Sequence, residues 1–147
     1  MKDPQTKIDM SSCILAQGVK ILSKKWVPHI FCHLLDQEVM SFSEFFTGLN
    51  EKFEGGITSS VLSQTLKLLE NENLINKRIL TTFSPPKTEY FLTNKGRELH
   101  LIYGFLKIWS LKWFKLEQKG KSENICCSLD IIPEIKNKIE LIVEKNE

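Results

Sequence analysis

Residues 57–72 read Ile57-Thr58-Ser59-Ser60-Val61-Leu62-Ser63-Gln64-Thr65-Leu66-Lys67-Leu68-Leu69-Glu70-Asn71-Glu72, and their spacing decides the fold. Leu62, Leu66 and Leu69 recur at i, i+4 and i+7, the pattern of one buried helix face. Ser60, Ser63, Gln64, Lys67 and Asn71 recur on the opposite side, a stripe of hydroxyl, amide and ammonium groups with a single full charge. Thr58 or Ser59 is the natural N-cap, its side-chain oxygen able to accept a free N–H of the first turn. Such a face suits base edges and phosphates in a DNA major groove. It also suits an ordinary solvated helix surface, and the residues that follow decide between the two.

Those residues are two arms rich in β-branched and aromatic side chains. Leu74-Ile75-Asn76-Lys77-Arg78-Ile79-Leu80-Thr81-Thr82-Phe83 leads into Ser84-Pro85-Pro86-Lys87 and then Thr88-Glu89-Tyr90-Phe91-Leu92-Thr93. Two consecutive prolines donate no ladder hydrogen bonds, so the tip should project as a loop. Lys77, Arg78 and Lys87 charge this hairpin, and Glu89 partly opposes them. A polar-faced helix followed directly by a basic hairpin is a winged helix-turn-helix arrangement, with the helix in the major groove and the wing on backbone or minor groove. The expected class is mainly α with a small β-hairpin wing.

Composition bounds the reading without deciding it. The 147 residues are 41% hydrophobic and 26% charged, ordinary for one globular domain with an appendage. The net charge of +2 does not announce a nucleic-acid partner. Between residues 57 and 97, however, six basic residues (Lys67, Lys77, Arg78, Lys87, Lys95, Arg97) face three acidic ones (Glu70, Glu72, Glu89). Moderate, salt-sensitive affinity follows from so modest an excess. Residues 1–10 are polar and lack the apolar run of a signal peptide, and no stretch is apolar enough to span a bilayer. A cytoplasmic protein is expected, its four cysteines mainly reduced thiols.

Upstream, residues 11–23 carry Leu15, Val19 and Leu22 on one face, a first amphipathic helix with Ser11 or Ser12 as cap. A largely apolar helix starts close to Trp26, where Pro28 is acceptable only in the first turn. Val39-Met40-Ser41 reads as a short extended link, and Ser43 as the cap of a short third helix ending before Glu54-Gly55-Gly56. Downstream, Thr93 or Asn94 caps a long helix from about residue 95 to 118. Leu99, Ile102, Leu106, Trp109, Trp113 and Leu116 form a heptad seam along it, with Leu101, Phe105 and Ile108 as a second stripe. One stripe can pack on its own domain and leave the other for a partner subunit. After a hinge-like Lys119-Gly120-Lys121-Ser122, Asp130 and Pro133 open a terminal helix with Ile135, Ile139 and Ile142 on one face. The expected division is residues 1–119 for DNA binding and dimerisation, and 120–147 for a C-terminal extension with an amphipathic helix.

This order of elements resembles the HxlR-type winged helix-turn-helix transcriptional regulators, relatives of the MarR group. The matching pieces are Cys13, Lys25-Trp26, Ser41-Phe42-Ser43-Glu44-Phe45, Ile57-Thr58 with Leu62 and Leu66, and Leu68-Leu69-Glu70. They continue through Leu74-Ile75, Arg78, Pro86-Lys87-Thr88-Glu89-Tyr90, Leu92-Thr93, Gly96 and Trp109. The resemblance covers roughly residues 11 to 115. It implies a homodimer, joined through the N-terminal and long C-terminal helices, on a palindromic operator in double-stranded DNA. Three positions depart from the family pattern: Ile14 stands where proline usually follows the early cysteine, Lys24 replaces a glycine, and Lys87 replaces the wing arginine. Lysine keeps the charge but loses the planar fork.

Within that frame Ser59, Ser60, Ser63, Gln64 and Lys67 are the expected groove contacts, Gln64 the best suited to read adenine bidentately. Ser43 and Thr58 are expected to donate to phosphate, and Arg78 and Lys87 to hold the wing on the backbone. Leu99, Ile102, Leu106, Trp109 and Trp113 are the expected dimer contacts. Cys13 would lie in the opening turn of a helix, where the macrodipole favours the thiolate that reacts with oxidants and electrophiles. The resemblance implies such sensing for some family members, whereas a small apolar filler is the bland alternative. Cys126-Cys127 is a vicinal pair whose geometry disfavours mutual closure, and reduced surface thiols are the preferred reading. His29, Cys32 and His33 have a helical metal-ligand spacing but no nearby further ligands, so they read as packing residues and no metal is assigned. No phosphate loop, nucleophile elbow or metalloprotease signature is present, so neither enzyme activity nor a cofactor is expected. Two alternatives remain open: a regulator answering a small molecule held at the paired helices around Trp109 and Trp113, and an interaction module that does not touch DNA.

Overall fold

The computed structural model describes residues 7, 9–114 and 137 of the chain. The elements expected beyond residue 114, including Leu116, the Cys126-Cys127 pair and the terminal helix, lie outside the described residues. Asp9 accepts from the Ser11 N–H and opens a short 3-10 turn, Met10–Ser12, ahead of α1 (Ile14–Leu22). The first helix therefore begins at Ile14 rather than Ser11. Ser11 and Ser12 turn back on Asp9, and Cys13 itself takes the extended N-cap position of α1.

Helix α2 (Val27–Gln37) starts where Pro28 requires, with Trp26 as N-cap. It ends at Glu38, which adopts the left-handed region at φ 62°. The link expected at Val39-Met40-Ser41 is instead strand β1 (Val39–Ser41). Three residues carry too little alternation to be recognised as a strand, and its pairing partner is distant in sequence. That partner is β3 (Lys87–Leu92), which also pairs with β2 (Ile75–Leu80) to give an antiparallel sheet of order β1-β3-β2. Val39 lies opposite Phe91, and Ser41 opposite Glu89.

Between β1 and β2 run α3 (Phe42–Lys52) and α4 (Ser59–Asn71). Ser41, not Ser43, caps α3. Its hydroxyl accepts from the Glu44 N–H at 3.3 Å while the Glu44 carboxylate accepts from the Ser41 N–H at 2.6 Å, a reciprocal capping box. These donors hold the Glu44 carboxyl below its ordinary value of 4.5, backbone N–H first and the hydroxyl second. A lowered folded-state pKa contributes stability that is present above the unfolded value and is lost as pH falls through the folded one. The urea midpoints of wild type and Glu44→Ala should therefore differ most at neutral pH and converge in acid, below about 4.5. Ser41→Ala should cost about 0.5–2 kcal/mol at neutral pH.

The core is one cluster, with Val27, Ile30, Leu34, Phe45, Leu49, Leu62, Leu66 and Ile75 as its most deeply buried members. Leu62, Leu66 and Leu69 bury the α4 face that their spacing predicts. Past the sheet, Thr93 caps the single turn α5 (Asn94–Arg97), and its hydroxyl donates to the Asn73 carbonyl at 2.6 Å. Gly96 sits so close to the Leu74 carbonyl that a Cβ would lie 2.0 Å from its oxygen.

A tightened turn at Glu98, with the Leu101 N–H donating to its carbonyl, separates α5 from α6 (Leu99–Trp113). The single long helix expected from residue 95 to 118 is thus two helices, and Phe114 is already extended. The apolar periodicity passes through that turn almost unchanged, so the pattern does not reveal it. Beyond Leu99, the seam of α6 does not face the core. Tyr103 is buried on Phe31, ring centroids 5.0 Å apart, and Leu99 packs against the core beside it. Leu101, Ile102, Phe105, Leu106, Trp109 and Trp113 are all exposed in the single chain, Leu106 by 52% and Trp109 by 53%. Met10, Ile14, Leu15 and Val19 at the other terminus are exposed as well.

Candidate nucleic-acid interface

The outward face of α4 is placed by the turn that precedes it. Asn50, near the end of α3, accepts from the Ile57 N–H at 3.0 Å and donates to the Ile57 carbonyl at 3.1 Å and to Phe46 O at 2.7 Å. One side-chain amide thus satisfies three backbone groups and fixes where α4 begins relative to α3. Gly55 and Gly56 take positive φ values of 82° and 55° in this turn, and a Cβ on Gly56 would run into the Asn50 amide oxygen. Thr58 then caps α4, its hydroxyl oxygen accepting from the Val61 N–H at 3.2 Å. Asn50→Ala leaves backbone groups at this corner without their partner and should destabilise the fold by about 1–3 kcal/mol, read from urea unfolding. The Asn50 clamp was not among the expected site residues, because a lone asparagine after a helical pattern carries no recognisable spacing.

Ser59, Ser60, Ser63, Gln64, Lys67 and Asn71 are all exposed on α4, as the stripe predicts. Val61 shares that exposure and adds an apolar group suited to a thymine methyl. Thr65 instead turns its hydroxyl back to the Val61 carbonyl at 2.8 Å. Ser43 is exposed in the first turn of α3, 3.2 Å from the Ser41 hydroxyl. The open depression beside it is lined by Glu44 and Glu51 together with Thr47 and Gly48, so a phosphate at Ser43 meets two carboxylates.

In the wing, Arg78 and Lys87 do not stand alone. Arg78 Nε donates to Glu89 Oε2 at 2.8 Å and its Nη2 lies 2.8 Å from the same oxygen, while Lys87 Nζ is 3.8 Å from Glu89 Oε1. Lys77 Nζ reaches back to Glu70 of α4 at 3.1 Å. Tyr90 packs edge-on against Phe45, centroids 6.3 Å apart, and burial raises its phenol pKa. The wing is thereby tied to both helices of the helix-turn-helix.

Cys13 is half-buried at the start of α1, whereas Cys32 is buried in the core. His29 lies against the rings of Phe53, 4.3 Å away, and Trp26, 6.0 Å away, a packing position. Among the described residues no three His, Cys, Asp or Glu side chains converge as a metal site, and no helix is long and apolar enough to cross a membrane.

With this geometry in place, similarity to known proteins is specific. The family model described as HxlR-like helix-turn-helix matches residues 21–118, a span that leaves Cys13 upstream. The HTH-type transcriptional regulator YvaP of Bacillus subtilis is 35% identical over 97 residues, covering 66% of this chain and 83% of that protein. A second regulator of that type from the same organism, YdeP, is 31% identical over 120 residues, covering 79% and 88%. Among solved structures, the redox regulator HypR in its oxidised form superposes with a TM-score of 0.58 at 27% identity, covering 71% of this chain and all of that one (100%). The reduced form of the transcriptional regulator YodB from B. subtilis shares the fold, with a TM-score of 0.56 at 23% identity over 74% and 98% of the two chains. The chain therefore belongs to the HxlR-like helix-turn-helix family of DNA-binding transcriptional regulators.

Proposed function

We infer that the protein works as a cytoplasmic homodimer that binds a palindromic DNA operator, with α4 of each protomer in the major groove and each wing on the flanking backbone. The observation that carries this reading is the exposure of Ser60, Ser63, Gln64 and Lys67 as one continuous face, beside a wing bearing Arg78 and Lys87. The second support is the apolar surface of α1 and α6, too large an array of exposed side chains for a monomer to leave in water. A two-fold axis there pairs identical patches and sets two α4 helices on one side of the dimer, with half-sites about 10 base pairs apart. The test is selection of bound fragments from randomised duplexes, then mutation of the reader. Gln64→Ala should relax preference at one base pair of each half-site by about 1–3 kcal/mol and leave other positions unchanged. Uniform weakening at all positions would remove Gln64 from base readout.

Cys13 is the switch in this reading. It stands half-buried at the N-cap of α1, next to the exposed Ile14 and Leu15 of the inferred dimer surface. Oxidation or alkylation there adds bulk and polarity where two protomers meet and so alters the spacing of the two α4 helices. HypR, described as a redox regulator, supports this class of signal. Alkylating the reduced protein at Cys13 and repeating the DNA titration tests it. Unchanged operator affinity would sink the switch and leave the DNA-binding reading intact.

A further inference from the structure

Both cations assigned to the wing converge on one carboxylate, and that arrangement has an electrostatic consequence for DNA. Glu89 lies in the central strand, directly opposite Arg78 on β2 and opposite Ser41 on β1. Its side chain is only 14% exposed, whereas those of Arg78 and Lys87 are 57% and 39% exposed. One carboxylate oxygen takes both Arg78 contacts and the other faces Lys87. Lys77 is likewise engaged, by Glu70. All three wing cations thus have an acidic neighbour. Ion pairs whose cation stands in solvent, as these do, add little stability. For phosphate binding, however, the same carboxylate is a competitor, since each cation must release it or share its N–H groups between the two.

We propose that Glu89 is a specificity-determining residue of the wing, a built-in competitor that withholds Arg78 and Lys87 from phosphates in arbitrary register. This rests on the DNA-binding reading above. On non-specific duplex the wing gains few ionic contacts, because phosphates there approach in no fixed position and do not displace a carboxylate held through two guanidinium nitrogens. On the operator, groove contacts by α4 fix the duplex. The phosphates beside the wing arrive where Arg78 and Lys87 can share their remaining N–H groups with them while Glu89 keeps its own contacts, so the cost of releasing the carboxylate is not incurred there. Glu89 therefore lowers non-specific affinity more than operator affinity, and the weakly basic chain reads sequence with little background binding.

The test is the salt dependence of Glu89→Gln, an isosteric change that removes the charge. Affinity is measured by fluorescence anisotropy for a random-sequence duplex and for a duplex selected with the wild-type protein, each across a salt series. The random duplex should bind about 3- to 10-fold more tightly per cation released, with the slope of log affinity against log salt steeper by up to about 0.9 for each. The selected duplex should gain less, so the ratio between the two falls. Adding Arg78→Gln to the same variant should cancel most of the gain. A merely structural Glu89 would instead weaken both duplexes together with unchanged slope, and that outcome, or no change, overturns the proposal. If Glu89→Gln does not fold, as read by circular dichroism, Glu89→Asp keeps the charge but withdraws it, and the same changes in smaller measure are required. Absence of salt-sensitive binding by the wild type to any duplex overturns the DNA-binding reading itself, a result distinguishable from a wild type that binds and a variant that does not gain.

Discussion

Leu106→Glu is expected to convert the protein into a folded monomer and to lower operator affinity by about 10²–10⁴-fold. Leu106 lies in the middle of the exposed apolar face of α6 and is not a member of the buried core, so a carboxylate there disturbs association far more than folding. In the dimer the charge would be pressed against its symmetry mate and against the Ile102, Phe105 and Trp109 side chains, where neither charge finds a partner. Binding of the second α4 helix then ceases to be intramolecular, and the gain from linking two half-sites disappears. Sedimentation velocity and anisotropy on the same sample check both halves. A variant that stays dimeric and binds as wild type would place the protomer contact elsewhere.

The second large effect concerns the fold. Phe45→Ala should cost about 3–5 kcal/mol, a substantial part of the 5–15 kcal/mol typical of a domain, and lower the melting temperature by more than about 10 °C. Phe45 is 0% exposed and is the largest fully buried side chain among the described residues. It belongs to α3 but meets Tyr90 of the wing, so removing it opens a cavity where the helix-turn-helix joins the sheet. Thermal unfolding followed by circular dichroism checks it. A fall of only a few degrees would mean that the surroundings collapse into the space, and that the wing is not rigidly carried by α3.

Helix α4 and the wing were legible because each depends on a local pattern: leucines at helical spacing from Leu62 to Leu69, and two β-rich arms around Ser84-Pro85-Pro86. The features that position them were hidden for reasons of distance. Strand β1 is recognisable only through its pairing with β3, some fifty positions later, and Ser41 rather than Ser43 caps α3 because the chain leaves the strand at that residue. Asn50 acts through backbone groups of Ile57, and Glu89 through a cross-strand neighbour, so neither announces itself by residue type. At α6 the apolar seam was visible, but its orientation was not. Tyr103 and the first seam residue, Leu99, make the intramolecular contact, while Leu101, Ile102, Phe105, Leu106, Trp109 and Trp113 remain open.

The most direct measurement is the stoichiometry and salt dependence of binding to a selected duplex, by sedimentation of the complex and anisotropy at low and high ionic strength. Two protomers should occupy one duplex, with affinity falling steeply as salt rises and collapsing when both half-sites are moved half a helical turn apart. Binding by a single protomer, indifference to half-site spacing, or no salt-sensitive binding at all would contradict a dimer that reads DNA through its two α4 helices.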